Sequence, residues 1–116
     1  SVIFLRFKMK KILALILGLS LSFLAFADEF SGLNEILIMA RQGNQVAQNN
    51  LGSLYNDGKG VPQDYKKAFY WYEKSANHNF APAQFVVGSA YEMGKGVIKN
   101  RELMQQWYDK NGLCKL

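Results

Sequence analysis

Seven residues written twice, "YNDGKGV" at Tyr55–Val61 and "YEMGKGV" at Tyr91–Val97, decide how this chain folds. The copies lie 36 positions apart, and the match runs outward in both directions at that offset. Ala47-Gln48 returns as Ala83-Gln84, Gly52-Ser53 as Gly88-Ser89, Trp71-Tyr72 as Trp107-Tyr108, and Lys74 as Lys110. Roughly a dozen identities fall in about thirty aligned positions, where chance would supply about two; such a period marks stacked supersecondary units, none able to bury its apolar face alone.

Each unit reads as two helices around the glycine loop. Ala47, Leu51, Leu54 and Tyr55 recur at i, i+4, i+7 and i+8, one face of a helix. Gly52 is out of place inside that helix, where glycine costs about 1 kcal/mol. Its return as Gly88 says that a neighbour passes too close for a side chain. Gly58 and Gly60 end the helix and turn the chain, at positions that call for positive φ. Asp64 is the N-cap of the second helix, and Asn100 takes its place one period later. Ala68, Trp71, Tyr72, Ser75 and Ala76 make the next apolar stripe. Pro82 stands at the start of the helix containing Ala83, where proline is tolerated. Upstream, "LNEILIMAR" at Leu33–Arg41 has its own helical pattern, with Ala40 aligned to Ala76 and Glu35 to Trp71. It reads as a lone second helix capping the stack, and Gly43-Asn44 as the turn out of it.

A lysine between glycines invites a phosphate-loop reading, which the context removes. A phosphate loop of the Walker kind places Gly-x4-Gly-Lys-Ser/Thr between a strand and a helix. Here Gly-Lys-Gly-Val follows a helix, and no hydroxyl residue comes after the lysine.

The formal charge of +5 is equally misleading about nucleic acid. Arg6, Lys8, Lys10 and Lys11 precede Asp28 and no acidic residue does; from Asp28 onward ten basic residues face nine acidic ones. No basic patch remains to neutralise a run of phosphates. The imbalance belongs to "MKKILALILGLSLSFLAFA", Met9 to Ala27: two lysines, an apolar run, and Ala25-Phe26-Ala27 as a small-x-small cleavage site. The run falls short of the roughly 20 residues that span a bilayer. The expected reading is a bacterial secretory signal peptide cleaved after Ala27, which makes the mature protein periplasmic or secreted with no membrane attachment; an uncleaved signal anchor is the alternative. Residues 1–8 are expected to be an extension upstream of the start at Met9. Cys114 is the single cysteine, so no internal disulfide forms.

Reactive chemistry finds no constellation. His78 is the one histidine, expected in the turn between units, with no cysteine or histidine cluster to share a metal. The carboxylates Asp57, Asp64, Glu73, Glu92 and Glu102 are scattered, and no pair stands as an acid–base couple. Ser53 and Ser89 recur with the repeat, which suits a tight or exposed helix face better than a nucleophile. Trp71 and Tyr72 fit the core spacing, while Phe69 and Tyr70 point elsewhere, with a role as outward surface anchors the alternative to a structural one.

The first unit, with Ala47, Leu51, Gly52, Tyr55, Gly58, Gly60, Val61, Asp64, Lys67, Ala68, Trp71, Lys74 and Ala76, resembles the Sel-one-like repeat (SLR) family, relatives of tetratricopeptide repeats. Only Ser75 departs from the family pattern. The second unit keeps Ala83, Gly88, Tyr91, Gly94, Gly96, Val97, Trp107 and Lys110, and departs at Val87, Asn100, Leu103, Met104, Asn111 and Gly112. The resemblance implies an all-α fold: a right-handed α-solenoid of about two and a half helix-turn-helix repeats. The expected boundaries are 9–27 for the signal peptide, 28–46 for the half-repeat cap, 47–82 for the first repeat, and 83–116 for the second with its degenerate last helix. The resemblance also implies a protein–protein interaction module or scaffold in the bacterial envelope, not an enzyme, with neither cofactor nor metal. Two alternatives accompany it: a periplasmic immunity protein that masks a toxin, and a β-lactam-hydrolysing enzyme of the cysteine-rich branch, whose paired cysteines this chain lacks.

In solenoids of this type the first helix of each unit lines the concave side. Its off-core positions are Gln48, Asn49, Ser53 and Asn56, then Phe85, Val86, Ser89, Glu92 and Met93. From these, Asn49, Asn56, Phe85, Ser89, Glu92 and Met93 are expected to bind a protein or peptide partner, with Phe85 and Met93 as anchors. A stack usually needs about three units to stand alone. The face of the last helix, with Met104, Trp107 and Tyr108, is therefore expected to be covered by a partner or a second copy.

Overall fold

Asn44, Asp64 and Asn100 place the helix starts in the way their chemistry requires. Each sits in extended backbone, and each side chain accepts from an N–H three residues on: Ala47, Lys67 and Leu103. The structure, a computed structural model, describes residues 2–3, 5–6, 8–9 and 21–112. Most of the expected signal segment, and Cys114, lie outside the described residues. Among these, five helices follow in order: α1 (Leu21–Arg41), α2 (Gln45–Asp57), α3 (Tyr65–Asn77), α4 (Ala81–Met93) and α5 (Arg101–Lys110), with no strand. The position expected for cleavage falls inside α1, which is continuous there. The chain divides between Asn34 and Glu35 into two units, of which the second holds the repeats.

Within that second unit, α2 packs on α3, α3 on α4, and α4 on α5, so the stacking order is the chain order. Gly58 and Gly94 end α2 and α4 in the left-handed region, at φ +67° and +69°, where a side chain would be strained. The glycines inside the helices answer to a different demand. A Cβ on Gly52 would lie 2.9 Å from the Tyr72 ring, and one on Gly88 would lie 2.5 Å from the Tyr108 ring. Each repeat thus seats the tyrosine ring of its second helix against a bare stretch of its first.

The repeat extends to hydrogen bonds that identities alone do not reveal. Gln48 Nε2 donates to the carbonyl of Ala40, and Gln84 Nε2 to that of Ala76, so a buried amide pins each first helix to the helix before it. Ser75 Oγ donates to the Gln45 carbonyl, and Asn111 Nδ2 does the same for Ala81. Ser75 and Asn111 were departures from the family pattern; the structure gives both the same task. Asp64 N–H bonds the Tyr55 carbonyl at 2.9 Å, and Asn100 N–H bonds that of Tyr91 at 3.0 Å, closing both glycine loops alike.

The core runs between the repeats: Ala68, Tyr72, Ala76, Ala83, Val87 and Trp107, with Tyr55, Phe69, Phe80, Val86 and Tyr91 packed against it. Three expectations are corrected here. Phe69 is no outward anchor; it is half-buried, edge-on to Tyr91 with centroids 5.4 Å apart, because the second repeat closes over it. Gln48 is not a concave surface position; it is 3 % exposed and spends its amide on Ala40. Trp107 does not sit on an open terminal face but points inward into the core. Tyr70 remains half exposed, with Lys74 Nζ 4.9 Å from its ring centre.

Candidate functional site

Where the first repeat meets the second, the helices leave a groove of about 220 Å³. α3 supplies Tyr65, Ala68, Phe69 and Tyr72; α4 supplies Phe85, Val86, Ser89, Ala90 and Met93; Asn56 and Lys95 complete the lining. The i, i+4, i+8 spacing of Phe85, Ser89 and Met93 sets them along one edge of α4. Phe85 and Met93 are about half exposed there, and Phe85 also stacks on Tyr108 at 5.9 Å. The volume falls below the roughly 300 Å³ at which small-molecule pockets begin. It suits one large side chain of a longer ligand better than a cofactor.

The structure brings together four of the six residues expected to bind a partner: Asn56, Phe85, Ser89 and Met93. It separates the other two from the groove. Glu92 accepts from the Tyr108 hydroxyl at 2.7 Å and lines a second recess of about 350 Å³ with Tyr91, Lys99, Asn100, Arg101 and Met104. Asn49 lies outside both recesses, its Oδ1 buried with no hydrogen-bond partner among the described residues. Sequence reading missed Tyr65, Phe69 and Lys95. The signal for Lys95 was on view in the glycine loop, but its target lies thirty residues earlier in the chain.

Electrostatics in the groove are mild. Burial pushes the Tyr72 phenol above its usual range; a hydrogen bond with Ser53 works the other way, and Asp57 adds to the rise. Burial likewise raises Tyr91, with Glu73 contributing. His78 lies in the turn after α3, and its Nδ1 meets Gln48 Oε1 at 3.1 Å; since an amide oxygen only accepts, the ring carries its proton there. Among the described residues no group of three or more metal-ligating side chains gathers, and no helix is long and apolar enough to cross a membrane.

The family model for the Sel1 repeat matches residues 45–80 and again 81–110. The chain belongs to the Sel1 repeat family. Solved structures agree. A Sel1 repeat protein from Oxalobacter formigenes is 40% identical with a TM-score of 0.68, the match covering 70% of this chain and 62% of that one. A protective antigen with an SLR fold from uropathogenic Escherichia coli is 31% identical with a TM-score of 0.67, covering 72% of this chain and 18% of the antigen. Helicobacter pylori cysteine rich protein B is 25% identical with a TM-score of 0.67, covering 69% and 60%. This Sel1 repeat chain therefore spans less than two thirds of each neighbour's length. No curated protein matches it. The all-α repeat solenoid expected from the sequence is the fold it has.

Proposed function

We propose that this Sel1 repeat protein is an exported interaction module of the bacterial envelope that holds a segment of another protein in the groove between its two repeats. Sel1 repeat proteins are generally protein–protein interaction modules. The observation that carries the reading is the groove itself: exposed Phe85 and Met93 beside Tyr65 and Phe69, with the polar Asn56 and Ser89 in the same lining. Aromatic anchors around a small apolar recess are the composition of a binding hot spot. Export rests on the lysine pair, apolar run and Ala25-Phe26-Ala27 of the N-terminal segment.

The test is capture from envelope extracts by the wild type, Phe85→Ala, Met93→Ala and, as a surface control, Tyr70→Ala. The expected result is a partner kept by the wild type and Tyr70→Ala and lost by both groove variants. Capture indifferent to the groove substitutions would overturn the site. Export is tested separately, by fractionation and N-terminal sequencing, with a mature chain beginning at Asp28 as the expected result and an intact cytoplasmic chain as the contrary one.

A further inference from the structure

The Gly-Lys-Gly loop occurs twice, but the two lysines do not have the same surroundings. Lys59 is exposed, whereas Lys95 is half-buried at the groove. The cause is tertiary. Gly94 and Gly96 both have positive φ, +69° and +79°, and the loop between them lies hard against the start of α3. A methyl on Gly96 would overlap the carbonyl of Tyr65. That contact brings Lys95 Nζ to 4.6 Å from the centre of the Tyr65 ring, itself part of the groove wall. The cation is thus held over an aromatic face beside the recess. Among the described residues lining the groove, Lys95 alone carries a formal charge at neutral pH. Asp57 acts on the Tyr72 hydroxyl from outside the lining, and its Oδ1 already accepts from Asn56 Nδ2 at 2.9 Å.

We propose that the groove selects acidic segments: a partner chain that places one aromatic or aliphatic side chain in the recess and a neighbouring carboxylate against the Lys95 ammonium. The proposal rests on the groove being the binding site, and adds the chemistry of its occupant. The recess has room for a single large side chain, and next to it stands a cation with no lining carboxylate to answer it. A phosphate ligand is not what the loop is built for, since the backbone N–H of Lys95 is spent on the Ala90 carbonyl and that of Gly94 caps the same residue.

The experiment titrates the full chain, by amide chemical shifts, with two peptides: Gly-Ser-Asp-Phe-Asp-Ser-Gly and its neutral counterpart with Asn at both Asp positions. The expected result is perturbation centred on Phe85, Ser89, Met93 and Lys95, with the acidic peptide binding about fivefold tighter, the upper end for one exposed ion pair. The preference should shrink when salt rises from about 0.05 to about 0.5 M, and vanish in Lys95→Gln while the neutral peptide binds unchanged. Equal binding of the two peptides to the wild type overturns the acidic preference and leaves the groove reading standing. Perturbation elsewhere on the surface, or from neither peptide, overturns both. A preference that survives in Lys95→Gln assigns the carboxylate to another cation and overturns the role given to Lys95.

Discussion

At the scale of single residues, the two helix glycines show how a pattern in sequence becomes a contact. Gly52 and Gly88 have no special backbone angle; they are glycine because a tyrosine ring lies where a side chain would be. Alanine at either position improves helix propensity by up to about 1 kcal/mol, while forcing a ring aside in a packed interior costs about 1–3 kcal/mol. The net expectation is destabilisation, larger for Gly88→Ala, whose new methyl would meet Tyr108 at 2.5 Å, than for Gly52→Ala at 2.9 Å from Tyr72. Thermal melts of the two variants check the order. The tyrosines also set a pH limit. Tyr72 and Tyr91 are raised in the folded state by burial, so the fold favours their neutral form. Their contribution is fully present below the ordinary phenol pKa near 10 and is lost as pH climbs through the folded values. The melting temperature should therefore be insensitive to these groups between about pH 7 and 9 and fall above about pH 10. Tyr72→Phe should flatten that fall, and an unchanged alkaline slope would show the phenol is not its source.

At the scale of elements, the start of each second helix depends on one side chain. Asp64 and Asn100 differ in charge yet make the same bond, to Lys67 N–H and Leu103 N–H. Replacing either by alanine should cost about 1 kcal/mol, and a swap between Asp and Asn at each site a few tenths. Chemical denaturation at constant slope would register both. The link between repeats is a buried amide, and Gln48→Ala would leave the Ala40 carbonyl with the Gly43 N–H alone, at a cost of about 0.5–1.5 kcal/mol for the lost hydrogen bond. The recurrence of Ala47-Gln48 as Ala83-Gln84 makes this link legible in the sequence: a glutamine that repeats beside a buried alanine needs a repeated partner.

At the scale of the whole molecule, the second unit of the chain is held together from its far end. Trp107 belongs to the last helix but fills the shared core with Tyr72 and Val87. Trp107→Ala should cost about 3–5 kcal/mol, a large part of the roughly 5–15 kcal/mol that stabilises an ordinary domain. Loss of the cooperative urea transition is the expected readout, and a variant nearly as stable as the wild type would show that α5 is dispensable. The sequence by itself determined the period, the helices, the caps and the loop glycines, because each depends on residues a few positions apart. It could not say that Phe69 is covered, that Gln48 turns inward, that Glu92 leaves the groove for Tyr108, or that Lys95 comes to rest over Tyr65. Those outcomes depend on how one repeat lies against its neighbours, across separations of eight to thirty residues, and only packing in three dimensions decides them.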